Sequence, residues 1–190
     1  GEPGNGKSAL VKCLLWRQAA LYGQGPHGRW IAIADPKGEY ASLAEHLGLT
    51  TVRLTPGGAT RINPLAPGPA AAHEPEDKQV LRQAEMCAAL VATVLERPLT
   101  QVEDAVLFAA IEPLTRSRID EPTLVDVAEL VARPTDEIAE RLRRTPSEVT
   151  VDVAQVAYAL DKLLTRSLRG MFDGPSTVPL RWDGPGLVLD

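Results

Sequence analysis

The chain opens on Gly1-Glu2-Pro3-Gly4-Asn5-Gly6-Lys7-Ser8, followed by Ala9-Leu10. Gly1, Gly6, Lys7 and Ser8 meet all four fixed positions of the pattern G-x-x-x-x-G-K-[ST]. In physical terms the pattern describes a loop that cradles phosphate. Its glycines let backbone N–H groups converge on phosphate oxygens, and its lysine adds a point charge for the β- and γ-phosphates. The serine hydroxyl can ligate Mg²⁺, and the helix that follows points its positive end at the anion. So short a pattern needs its context, which is strand, loop, helix. The helix half is legible: residues 7–22 contain no Gly or Pro, and Leu10, Val11, Leu14, Leu15 and Ala19 step at helical spacing. Gly23 and Gly25-Pro26 then stop the run. The competing reading is a glycine-rich turn capping an ordinary helix. No strand precedes the loop, so the chain reads as a truncated fragment of a longer protein.

Working outward, Arg29-Trp-Ile-Ala-Ile-Ala-Asp35 is a short apolar run bounded by a turn and by Pro36, which predicts a buried parallel strand. Glu39 to Leu47 predicts a short helix closed by Gly48, and Thr50 to Leu54 a second strand. Loop, helix, strand, helix, strand is the rhythm of an α/β nucleotide-binding sheet. The texture changes over residues 55–75, where Pro56, Pro64, Pro67, Pro69 and Pro75 mark a turn-rich segment. From Glu76 to Phe172 the pattern is helical, with expected helices at 76–96, 100–116, 123–132, 135–144 and 147–169. Thr100 with Glu103 and Thr145 with Glu148 form capping boxes, and Thr123 with Asp126 forms a weaker one. After Gly170, Val178 to Trp182 suggests an edge strand and Gly186 to Asp190 the start of another sheet strand. The expected division is therefore an α/β core in 1–65, an all-helical insertion in 76–170, and a return to the sheet in 171–190.

Composition sets outer bounds. At 190 residues with 44% apolar content, the chain can hold one core with an insertion. A net charge of −5 leaves no overall basic footprint for nucleic acid. Cys13 and Cys87 sit in apolar helical patterns and read as buried free thiols, which suits a reducing compartment. No apolar run reaches the ~18 residues of a membrane span.

Other residues read two ways. Asp35-Pro-Lys-Gly-Glu39-Tyr follows a strand, and the carboxyl ends of parallel strands face the ligand crevice. Asp35 and Glu39 there suit either a role in catalysis, holding a Mg²⁺-bound or attacking water, or an acidic helix cap beside a solvated turn. Asp190 ends an apolar run, as a Mg²⁺-positioning acid does, but the chain stops before a following Glu can be tested. His27, His46 and His73 lack metal-ligand spacing. Arg141, Arg143 and Arg144 read as a solvated helix face before a trans-acting arginine or a nucleic-acid contact.

Three segments together resemble the conjugative-transfer and type IV secretion ATPases of the HerA–FtsK branch of P-loop NTPases. They are Gly1 to Ser8 with Ala9-Leu10, Asp35-Pro-Lys-Gly-Glu39-Tyr, and Pro56-Gly-Gly followed by Arg61-Ile-Asn63-Pro64-Leu65. The helical insertion and the return near Met171-Phe-Asp-Gly-Pro are also similar. The resemblance implies an α/β, RecA-like sheet, interrupted by helices, that uses ATP and Mg²⁺ in a homo-hexameric ring. It implies work at the inner, cytoplasmic face of a membrane, with channel components as partners and DNA or protein as cargo. By position, Gly1, Glu2, Pro3, Gly4, Asn5, Gly6, Lys7, Ser8 and Ala9 would bind the nucleotide. Lys7 would serve catalysis, Ser8 would hold the metal, and Asp35 and Glu39 would fall in the acidic motif. In that family the strand ending near Asp190 precedes the true Asp-Glu motif. With that motif, the sensor residues and the arginine finger beyond this chain, little hydrolysis is expected of these residues alone. The alternatives are an FtsK-like DNA-pumping coupling protein, a P-loop small-molecule kinase, and a nucleotide-binding module without turnover.

Overall fold

A computed structural model describes residues 6–23, 28–67, 74–117, 121–180 and 184–190. The chain divides into two compact units, one formed by Gly1–Leu54 with Val178–Asp190, the other by Thr55–Thr177.

The first unit contains α1 (Lys7–Leu21), β1 (Ile31–Ala34), α2 (Ala41–Leu47), β2 (Thr50–Val52) and β3 (Gly186–Leu189). All strand pairs are parallel and the sheet order is β1-β3-β2. The last strand in sequence therefore lies between the first two. Its place is locked at both sides: the Asp35 N–H donates to the Leu189 carbonyl at 2.7 Å, and the Leu54 N–H donates to the Asp190 carbonyl at 2.8 Å. Gly186 is needed where β3 begins, because a Cβ there would lie 2.1 Å from the Ile31 carbonyl oxygen. Ile31, Ile33, Ala44, Leu49 and Val188 form the core of this unit, with Leu15 and Ala19 of α1 packed against it.

Two expectations change here. The strand at Ile31–Ala34 is covered on one face only, where Ile31 and Ile33 join the core with residues of α1 and α2, and Ala32 and Ala34 are exposed. The run at Leu10, Val11 and Leu14 does not face the core either. No residue of α1 is buried, and Leu10 is 72% exposed. The helix turns Lys12, Leu15 and Ala19 inward instead, and Cys13 is exposed rather than buried.

The second unit is helical: α3 (Glu76–Leu95), α4 (Gln101–Ser117), α5 (Leu124–Ala132), α6 (Asp136–Arg141), α7 (Pro146–Asp152) and α8 (Ala154–Lys162), then a π-helical turn at Leu163–Ser167. Its core is the larger one and includes Leu65, Cys87, Val91, Leu107, Ile111, Leu124, Val156 and Leu160. Burial pushes the Cys87 thiol up to about 12. The helix expected over 147–169 is broken at Val153 (φ −106°, ψ 14°). The buried positions Val149, Val153, Val156 and Leu160 continue through the break, so the apolar pattern conceals it. β-Branched Val149, Thr150, Val151 and Val153 lower helix propensity there. The helix expected to reach 144 ends at Arg141, where Arg143 turns left-handed (φ 54°) and the Arg144 N–H caps the Ala139 carbonyl at 2.9 Å. All three capping boxes form, the Thr123–Asp126 pair included. Val178–Leu180 is not a strand, and residues 181–183 lie outside the described residues.

Where the chain enters and leaves this unit, the two segments are laced together. The Gly57 N–H donates to the Arg169 carbonyl at 2.7 Å, the Ile62 N–H to Met171 at 2.8 Å and the Thr177 N–H to Arg61 at 3.1 Å. Arg61 also pairs with Asp173 at 3.1 Å.

Candidate functional site

Gly1, Glu2, Pro3, Gly4 and Asn5 lie outside the described residues. The described part of the loop begins at Gly6, which takes the N-cap position of α1 with φ 67°, a conformation glycine adopts without Cβ strain. Lys7, Ser8 and Ala9 follow in the first turn and are exposed. Among the described residues no side chain caps this end of α1, and its first turn holds no acidic residue. α2, α3 and α8 likewise start without a side-chain cap, whereas α5, α6 and α7 each carry a threonine cap. Among the described residues the first N–H groups of this 15-residue helix meet no side-chain acceptor, and they stand beside a lysine and a serine hydroxyl. That donor set fits a phosphate group, with the Ser8 hydroxyl fitting one position of a Mg²⁺ ion that takes its other ligands from phosphate and water.

The position of α1 along the sheet follows from its contacts. Its C-terminal end, at Ala19 and the capping Tyr22, lines a hollow with Ile31 and Pro185, at the amino edge of the strands. Midway, Lys12 Nζ stands 5.2 Å from the centre of the Tyr40 ring, just past the carboxyl end of β1. Lys7 and Ser8 are four to five residues before Lys12, about 7 Å further along the axis. They therefore project past the carboxyl edge, where ligands of parallel α/β sheets bind.

At that edge Asp35 ends β1 and is buried. One carboxylate oxygen accepts the Glu39 N–H at 3.0 Å and the other accepts the Tyr40 N–H at 2.7 Å. Burial works against its charge, but the N–H groups of Tyr40, Glu39 and Lys37 and the positive charge of Lys12 outweigh it. They hold the carboxyl below its ordinary 3.8. Asp35 thus shapes the Pro36–Tyr40 turn that leads into α2. Glu39 is exposed and lines a cleft with Lys12, Trp16, Ser42 and His46. Asp190 ends β3, and its carboxylate accepts from Arg53 Nε at 3.0 Å. Its other oxygen faces the turn at Gly38, 3.7 Å from where a Cβ would stand.

Asn63 belongs to the helical unit. Its side-chain NH₂ donates to the Pro122 carbonyl at 3.0 Å and its Oδ1 accepts the Leu65 N–H at 3.0 Å. The Leu65 carbonyl in turn accepts from Gln83 at 2.6 Å. The Asn63-Pro64-Leu65 segment is therefore an internal tie. Of the basic cluster, Arg141 pairs with Glu112 and Arg144 with Asp152, as on a solvated face. His46 is exposed, while His27 and His73 lie outside the described residues. Sequence reasoning missed Lys12 and Arg53; neither sits in a motif, and only the packing of α1 on α2 and the pairing of β2 with β3 bring them to this edge.

Among the described residues the architecture is a helix-rich chain with a small parallel three-stranded sheet. Among solved structures the chain is similar to VirB4 of Thermoanaerobacter pseudethanolicus, with a TM-score of 0.63 and 22% identity. The match covers 100% of this chain and 48% of that one, so the chain spans about half the length of that structure. The likeness is one of fold. No protein-family model matches the sequence and no curated protein matches it. No helix among the described residues is long and apolar enough to cross a membrane.

Proposed function

We propose that this chain is the nucleotide-binding part of a RecA-like motor ATPase of the type IV secretion and conjugation class, in the HerA–FtsK branch. The observation that carries this reading is the uncapped start of α1, with Gly6, Lys7 and Ser8 projecting past the carboxyl edge where Asp35 and Asp190 end parallel strands. The fold likeness to VirB4 supports it. In this reading Gly1 to Ala9 wrap the phosphates of ATP, Lys7 neutralises the β- and γ-oxygens, and Ser8 holds Mg²⁺. The bound metal supplies charge stabilisation to the transferring phosphoryl group. Lys12 and the Asp35 turn fix the height of α1 against the sheet, and Glu39 is the exposed carboxylate free to orient water. The sheet unit, 1–54 with 178–190, would carry the nucleotide site, and the helical unit, 55–177, would be the insertion. The whole protein would act as a homo-hexamer at the inner membrane face, with channel components and with DNA or protein as cargo.

The test is calorimetry of ATP binding with and without Mg²⁺, on this chain and on Lys7→Ala. The expected result is Mg²⁺-dependent binding that weakens at least about tenfold in the variant. Equal binding by both proteins would sink the reading.

A further inference from the structure

The amino edge of the sheet, opposite Lys7 and Ser8, holds a hollow of about 570 Å³. That is within the range of small-molecule sites. Its walls include Trp16 of α1, Tyr22 at the end of that helix, Arg29 and Trp30 before β1, His46 of α2 and Pro185 before β3. Aromatic residues make up only 4% of the chain, yet two of its three tryptophans meet here. Trp16 and Tyr22 remain 48% and 43% exposed, so ring surface is open to a ligand.

The polar groups are already oriented. The Arg29 guanidinium stacks 4.1 Å from the centre of the Tyr22 ring and is held at one edge by the side-chain oxygen of Gln18. A guanidinium has five N–H donors, of which Gln18 takes one among the described residues. His46 Nδ1 lies 2.7 Å from the Ser42 carbonyl, which keeps the proton of the neutral ring there and leaves Nε2 as an acceptor. The His46 ring is tilted against Trp16 at 6.1 Å. Among the described lining residues there is no carboxylate.

We propose that this hollow is a second binding site, separate from the phosphate loop, for a nucleobase together with its phosphate. Flat aromatic walls stack a base whatever its identity, and an arginine beside them takes the phosphate. An uncharged apolar peptide would use the rings but leave Arg29 without a counter-charge. The same chemistry is carried by a free nucleotide and by a single strand of nucleic acid. The proposal does not depend on the ATPase reading.

The test is tryptophan fluorescence of the full chain without Mg²⁺, titrated with AMP and separately with a short oligo(dT). Each titration is run on the natural sequence, Lys7→Ala, Arg29→Gln and Trp16→Leu, with circular dichroism checking the fold. Saturable quenching is expected in the natural sequence and equally in Lys7→Ala, with binding about tenfold weaker in Arg29→Gln and Trp16→Leu. Saturation by AMP identifies a free nucleotide, and saturation by the oligonucleotide alone identifies a strand. Arg29 is exposed, so Arg29→Gln carries the test even if Trp16→Leu does not fold. No saturable quenching with either ligand overturns the proposal. So does quenching that Lys7→Ala abolishes and Arg29→Gln leaves intact, which assigns the signal to the phosphate loop.

Discussion

The buried carboxylate of Asp35 accepts the backbone N–H of Tyr40 at 2.7 Å, so the acid that ends β1 also sets the start of α2. Its second oxygen is occupied by the Glu39 N–H. Both oxygens serve the turn, and the charge is favoured over the neutral form. Because the folded pKa lies below 3.8, the contribution to stability is present above that value and is lost as pH falls through the lower folded value. Asp35→Ala should lower the melting temperature at pH 7 by more than Asp35→Asn, which keeps one acceptor oxygen. Equal melting temperatures for Asp35→Ala and the natural sequence would show that the turn does not need the carboxylate.

The position of Gly186 makes a second prediction. Gly186→Ala places a methyl 2.1 Å from a backbone oxygen of β1, and no side-chain rotation relieves it. A loss on the order of 3 kcal/mol is expected from so direct a clash. Hydrogen exchange reads it at the amides of Asp35 and Leu54, which donate to carbonyls of Leu189 and Asp190. Unchanged protection at both amides would contradict the central placement of β3.

Gln83 links the Asn63 segment to the helices. Fully buried, it donates to the Leu65 carbonyl at 2.6 Å, and its Oε1 lies 2.5 Å from the Thr115 hydroxyl. Gln83→Leu strands the Leu65 carbonyl and should cost about 1–3 kcal/mol in urea unfolding. The Thr115 hydroxyl can turn to the Ile111 carbonyl at 3.0 Å. Thr115→Val added to Gln83→Leu should therefore cost less than it does alone, a coupling that a double-mutant cycle measures.

Arg97 and Glu103 form a two-pronged pair, with Nη1–Oε2 at 2.8 Å and Nη2–Oε1 at 2.7 Å. The hydrogen bonds from Arg97 outweigh the burial of Glu103 and, with the amide and hydroxyl of Thr100, bring its carboxyl to about 2. The pair stabilises the fold fully above the unfolded value of 4.5, and that stability is lost as pH falls toward about 2. Arg97→Ala should lower stability at pH 7 and cost less near pH 2, since it leaves the buried Glu103 carboxylate without its cation. A cost independent of pH would show that Arg97 acts only through packing.

What was legible in the sequence is what neighbouring residues decide among themselves. The Gly6-Lys7-Ser8 start of α1, the Gly48 stop of α2 and the threonine caps of the helical unit all depend on bonds within a few residues. So the helix starts and the candidate phosphate-binding residues could be placed without a fold. Tertiary structure alone decided what depends on distant partners. β3 enters between β1 and β2 from the far end of the chain, where local periodicity carries no information about pairing order. That pairing brings Arg53 to Asp190, and the seat of α1 brings Lys12 to Tyr40. The same long-range packing turned Leu15 rather than Leu14 toward the core and closed Asn63 into a buried tie. A residue type and its spacing state which bonds are possible; only the partners that folding delivers settle which of them form.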